Sequence, residues 1–129
     1  MDLHPGIRGE GSLLVTHDRT AAVVGSGKLA VFATPSMVAL MEKTALETVQ
    51  PYLDAGQGTV GTRIDVSHVA ATPEGMTVRA ECELTEVDGR RLMFRVAAYC
   101  GDELLGEGVH ERFIISEQRF MEKVQAKLK

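Results

Sequence analysis

Three side chains in this 129-residue sequence stand where acid–base or nucleophilic chemistry could use them: Glu42, His68 and Thr34. Glu42 lies in the run Ala33–Pro51, whose spacing predicts a helix. With Met37 as zero and roughly 100° per residue, Glu42 falls at about 140°, between Val49 at about 120° and Leu46 at about 180°. It sits on an apolar face. Glu is rarely buried unless paired, because taking water from a carboxylate costs several kcal/mol. Two readings follow: a salt-bridged residue at the edge of the core, or a carboxylate aimed into a cleft.

His68 is the penultimate residue of the run Thr59–Val69. Strand alternation puts Val60, Thr62, Ile64, Val66 and His68 on one face, with Arg63, Asp65 and Ser67 on the other. A lone inward His is more often a hydrogen-bonded core residue than a catalyst. Here the helix bearing Glu42 must pack on that same face, so an inward acid and an inward base can meet. Thr34 reads first as the N-cap of the helix, with Pro35 at its first position. It also stands at the positive end of the helix, where backbone N–H groups stabilise a developing oxyanion. Thr34 and Glu42 are about 12 Å apart along a regular helix, so a shared site requires intervening substrate or a second chain. His110 and Arg112 form a further cluster of ambiguous alternation. If Gly106, Gly108 and His110 share a face, the glycines admit a close approach by the helix or a ligand.

The elements that position these residues are simple. Thr34 and Pro35 start a helix of about 16 residues and Pro51 stops it. Lys43, Glu47 and Gln50 form its one continuous polar sector, so it is expected to be buried on most sides, with a second protomer completing its cover. A first strand is expected near Gly11–His17, followed by a glycine-marked loop over Ala21–Lys28. After the helix come four strand segments separated by Thr72–Gly75, Asp88–Gly89 and Gly101–Asp102, gaps short enough for antiparallel hairpins and an antiparallel meander. In Thr77–Leu84 the residues Val78, Ala80, Cys82 and Leu84 should face in, and Arg79, Glu81 and Glu83 out. Ser116–Lys127 reads as a short terminal helix. One long helix among these strands gives an α+β domain, a curved antiparallel sheet packed around the helix.

Composition narrows the function. The formal charge is −4 and Lys and Arg are scattered, so no nucleic-acid partner is expected. Met1–Pro5 has no signal-peptide character and no stretch reaches 18 uninterrupted apolar residues, so the expectation is a soluble cytoplasmic protein with no membrane partner. Cys82 and Cys100 have no neighbours at metal-ligand spacing and read as buried free thiols. Residues 1–129 are expected to form a single domain.

The segments Met37–Glu42, Gly61–Pro73, Glu86–Leu92 and Gly108–Arg112 together resemble the hot-dog thioesterases related to fluoroacetyl-CoA thioesterase, over roughly Thr34 to Phe120. The His-x-Ala-Ala-Thr-Pro stretch at His68–Pro73 is the most specific part. The resemblance implies a hot-dog fold and a homodimer with interfacial active sites, with a higher oligomer also open. It implies hydrolysis of a small or medium acyl-CoA to acid and CoA, with Thr34, Glu42 and His68 catalytic. Gly61 corresponds to a glycine near the acyl pocket, and Phe32 and Met41 join it as substrate-binding candidates. Hydrolysis needs no cofactor or metal. Glu42 as nucleophile, Glu42 as base toward water, and Thr34 as nucleophile all stay open. In Ala21–Val31 the sequence departs from the longer, aromatic-rich lid of the fluoroacetate-specific enzyme, which points to a more general acyl-CoA. The rivals are a hot-dog hydratase or dehydratase, whose Asp-x4-Asn-x2-His run is missing, and a non-catalytic dimeric acyl-CoA or small-ligand binding module in which Glu42 and His68 merely pair.

Overall fold

A computed structural model describes residues 2–128. In chain order it comprises β1 (Arg8–Leu14), α1 (Ala21–Val24), α2 (Thr34–Val49), β2 (Gln57–His68), β3 (Thr77–Asp88), β4 (Arg91–Cys100), β5 (Glu103–Ser116) and α3 (Glu117–Gln125). The strands make one antiparallel sheet ordered β1-β3-β4-β5-β2. α2 packs on it, chiefly against β1 and β3. This is the helix-on-sheet architecture of the hot-dog fold.

Alternation builds the core. Val78, Ala80, Cys82 and Leu84 of β3 are buried as expected, beside Leu92, Phe94, Val96 and Ala98 of β4. They face Met37, Leu40, Met41, Ala45 and Val49 of α2, and each large apolar side chain contributes about 1.5–3 kcal/mol on burial. Lys43, Glu47 and Gln50 are exposed, as the wheel requires. Ala39 is exposed too, while Val38, Glu42 and Leu46 are half-buried, so one flank of the helix is only partly covered by this chain.

Several expectations shift. The first strand begins earlier, at Arg8, because it pairs with β3 from Arg8↔Glu83 to Leu14↔Thr77. The expected loop at Ala21–Lys28 contains the single turn of α1, closed by Gly25 at φ 95°. Only β3, β4 and β5 form a meander. Their two tight turns each place a glycine of positive φ first, Gly89 and Gly101, as two-residue hairpin loops demand. β2 does not pair with β3. The chain between them spans residues 69–76, and it is held there by the Phe32 N–H donating to the Thr72 carbonyl (2.8 Å) and by a bridge from Val31 to Pro73. It crosses over instead, and β2 pairs with β5 at the far edge of the sheet.

β2 also contains a bulge. Its register passes from Gly61↔Arg112 to Arg63↔Glu111, leaving Thr62 as an extra residue. The inward row is therefore Thr59 and Gly61 before the bulge, and Ile64, Val66 and His68 after it. Val60 and Thr62, expected inward, drop out of that row, because one inserted residue reverses the parity of a strand. The Thr62 hydroxyl donates instead to Glu111 Oε1 (2.7 Å), whose carboxylate also accepts from Arg91 Nε (2.7 Å). These two donors, Thr62 first, hold the Glu111 carboxyl below the usual carboxylate range.

Candidate active site

The start of α2 decides the first half of the site. Thr34 is not the cap: Ala33 occupies that position in an extended conformation (φ −75°, ψ 141°), and no side chain caps the helix. Thr34 is the first helical residue and Pro35 the second, leaving the Thr34 hydroxyl free for something else. It lies 2.8 Å from Nδ1 of His68, at the end of β2. Phe32, fully buried, packs edge-on to the imidazole at 6.4 Å. Nε2 of His68 is buried with no hydrogen-bond partner among the described residues, although buried polar atoms are almost always satisfied. Burial pushes the His68 imidazole below its ordinary range, and the Ala70 main chain offsets part of this. The imidazole therefore has one nitrogen on a hydroxyl and the other without a partner among the described residues.

The second half lies two turns further along α2. Glu42 presents a carboxylate that is 40% exposed, 3.9 Å from Nη1 of the buried Arg112. The bulge brings Gly61 against this pair: a Cβ there would stand 2.7 Å from Glu42 Oε2 and 3.3 Å from Arg112 Nη1. The guanidinium is fixed by donating Nε to Thr59 Oγ1 (2.8 Å) and Nη2 to the Thr59 carbonyl (2.9 Å). Nη1 also donates to His110 Nε2 (3.1 Å). Burial lowers the Arg112 pKa and the Glu42 charge opposes this; a guanidinium stays protonated through such shifts.

The structure thus joins Thr34 to His68 and joins Glu42 to Gly61, but keeps the two halves apart within one chain. Among the described residues of one chain, no hydrogen bond or ion pair joins Glu42 to His68, although their shared inner face allows them to meet. The salt-bridged reading of Glu42 holds, since it is ion-paired with Arg112 at the edge of the core, and its carboxylate is partly exposed. Met41 has no exposed surface and belongs to the core. Gly106 and Gly108 serve close approach: a Cβ at Gly106 would stand 2.8 Å from Met37 Sδ, and one at Gly108 would stand 2.0 Å from the Asp65 carbonyl. Arg112 and Thr59 were not picked out together from the sequence. Their side chains are 53 positions apart, and the only local signal was a charged residue within an alternating strand. Among the described residues no three His, Cys, Asp or Glu side chains are grouped to hold a metal.

Gly61→Ala should displace the Glu42 carboxylate with little change in Tm, because the new methyl meets side chains rather than backbone; a thermal melt beside the crystal structure of the variant checks both. Acid should weaken the fold. His68 and His110 both have folded pKa values held below the unfolded value, mainly by burial. The unfolded chain therefore binds more protons below about pH 6.5, and stability is complete above that pH and falls as the pH drops beneath it. Urea midpoints between about pH 5 and 8 check the sign.

The chain superposes on a solved fluoroacetyl-CoA thioesterase structure with a TM-score of 0.92 and 38% identity, covering 98% of each chain. It superposes on a Thermus thermophilus thioesterase superfamily member with a TM-score of 0.89 and 27% identity, covering 98% of this chain and 93% of the other. The fold is that of the hot-dog thioesterases. Residues 15–118 match the model of the fluoroacetyl-CoA-specific thioesterase family, to which the chain belongs. Within it, the fluoroacetyl-CoA thioesterase of Streptantibioticus cattleyicolor is 48% identical over 97 residues, 75% of this chain and 70% of that one. The protein is an acyl-CoA thioesterase, releasing free acid and CoA.

Proposed function

We propose that Thr34, His68 and Glu42 carry this hydrolysis, in a site completed by a second copy of the chain, on small to medium acyl groups. The 2.8 Å contact between Thr34 Oγ1 and His68 Nδ1 carries the reading. With the hydroxyl donating to a neutral imidazole, His68 takes a proton from Thr34, or from a water in its place, as the thioester carbonyl is attacked. The same proton then serves the departing CoA sulfur as the C–S bond breaks. Where Thr34 attacks, a water deprotonated by the same imidazole next hydrolyses the acyl-Thr34 ester, releasing the free acid and returning the proton to Thr34. The first N–H groups of α2 have no intrahelical acceptors. Pro35 contributes none, so those of Thr34 and Ser36 are the ones beside the hydroxyl to receive the developing oxyanion.

Glu42 lies eight residues beyond Thr34, about 12 Å along the helix, too far for one carbonyl to touch both. The 12-residue β2 is an edge strand, and such an edge is a template for another strand. Antiparallel pairing of β2 with its own copy about a two-fold axis runs the His68 end of one strand toward the Gly61 end of the other. That arrangement sets Thr34 and His68 of one protomer opposite Glu42 of its partner, and covers the open flank of α2. Mixing folded His68→Ala and Glu42→Gln proteins should then regain about a quarter of wild-type activity, since half the dimers are mixed and each has one intact site. A mixture no more active than its components overturns the shared site.

The rim beside Thr34 supports a broad substrate range. Ala21–Val31 contains no aromatic residue, and Val23, Val24 and Leu29 present exposed aliphatic surface there. Solved relatives hold acetyl-CoA in one case, and fluoroacetate with CoA in another. Free CoA captured by a thiol reagent from acetyl-, fluoroacetyl-, phenylacetyl- and longer acyl-CoAs tests the range. Turnover of the fluoroacetyl thioester alone would refute it. A cytoplasmic setting belongs to the same reading, supported by two unpaired cysteines, as does a single catalytic domain across residues 1–129.

A further inference from the structure

His110 is a buried titratable residue that the proposed chemistry does not use. Its ring is 1% exposed and stacks on Phe94 at 6.1 Å. Nδ1 lies 2.7 Å from the carbonyl of Arg63, the residue that closes the β2 bulge, and Nε2 lies 3.1 Å from Arg112 Nη1. A guanidinium has no acceptor. Nε2 must therefore be the bare nitrogen and Nδ1 the protonated one, so the two contacts together permit a single neutral tautomer. Thr59 takes the Nε and Nη2 donors of Arg112, and His110 takes one from Nη1. The remaining Nη1 hydrogen is left on the side of Glu42 Oε2, 3.9 Å away.

We propose that His110 is a positioning residue, which aims the Arg112 guanidinium at Glu42 by accepting its Nη1–H, and does so only while the imidazole is neutral. A second proton on the ring would set N–H against N–H and cation against cation, so Arg112 would lose the anchor that orients Nη1. The charged groups facing His110 divide. Arg112 opposes protonation, and Glu42 from α2 and Glu111 from its own strand favour it. From β2 it meets the Arg63 carbonyl and the glycine at Gly61, and from β4 the uncharged Phe94. Burial outweighs the rest and keeps the ring neutral. Through the bulge carbonyl the same side chain also ties the position of Gly61 to that of Arg112.

This assignment rests on Glu42 being catalytic, and its test separates the two claims. His110→Asn keeps a donor for the Arg63 carbonyl but offers Arg112 no acceptor, whereas His110→Gln reaches the Nε2 position with an amide oxygen. The Asn variant should lose about 10- to 100-fold in kcat with KM nearly unchanged, and the Gln variant should stay within about threefold of wild type. The acid limb of the kcat/KM profile should lose one titrating group in the Gln variant. A merely structural role moves Tm in both variants and leaves the limb unchanged. In a Glu42→Gln background the Asn change should add no further loss. Imidazole 15N shifts of the wild type should show Nδ1 protonated and Nε2 bare at neutral pH, a readout independent of activity. Wild-type kcat in the folded Asn variant, or protonation on Nε2, overturns the proposal. A fully active Glu42→Gln enzyme instead overturns the catalytic reading, and the tautomer result stands apart from it.

Discussion

His68→Ala is expected to lower kcat by about 10²- to 10⁴-fold, the usual share of a positioned acid–base group. The substitution removes the side chain paired with the Thr34 hydroxyl and the buried Nε2 that has no hydrogen-bond partner among the described residues. Stability should change by no more than about 1.5 kcal/mol, because the ring is only half-buried and Thr34, which is exposed, regains water. The fall should be in kcat rather than KM, since Thr34, α2 and the aliphatic rim beside it stay in place. The pH profile gives an independent check. Burial holds the His68 pKa below its ordinary value, so the wild-type base should stay neutral and activity level down to about pH 6.5, declining only on further acidification. Full activity in the folded variant would end the assignment of His68 as the base. A kcat/KM that already declines from about pH 8 downward would show instead that the ring is protonated more readily than its burial allows.

Glu42→Gln is expected to lower kcat by about 10²-fold or more while preserving the shape of the site. Gln fills the same volume beside Gly61 and keeps an acceptor for Arg112, but it can neither take a proton nor attack a carbonyl. The substitution leaves the buried Arg112 cation without its anion. Removing one member of a fully buried pair costs about 3–5 kcal/mol. Glu42 is 40% exposed, however, so water screens the loss and about 1 kcal/mol is expected. Kinetics and a urea midpoint on the same preparation separate the effects, and a large loss of kcat beside a small loss of stability is the signature. If kcat survives and only stability falls, Glu42 is a structural counter-ion to Arg112 and nothing more.

Much of this was legible from local pattern. Pro35 and Pro51 fixed the limits of α2 at Thr34–Val49. Alternation chose the buried face of β3, and Asp88–Gly89 and Gly101–Asp102 located both hairpins. Such features depend on neighbours within a few residues, where sterics, backbone donors and side-chain period act without reference to the rest of the chain. The resemblance carried by His68–Pro73 and three other segments identified the reaction, and the structure paired Thr34 with His68.

The rest required the folded chain. Nothing within β2 marks Thr62 as a bulge, yet that one residue turns Gly61 and Thr59 inward on one side and His68 inward on the other. Thr34 has the residue type of a cap, but its hydroxyl goes to a partner 34 positions away. Arg112 looked like a charge on an ambiguous strand until its donors met Thr59, His110 and Glu42. In each case the deciding energy is a hydrogen bond or ion pair between distant segments. Local propensity differs by less than about 1 kcal/mol per residue, and a buried polar group left unpaired costs more than that. The sequence alone therefore determined the elements and the chemistry they carry, and the tertiary structure decided which polar groups face each other.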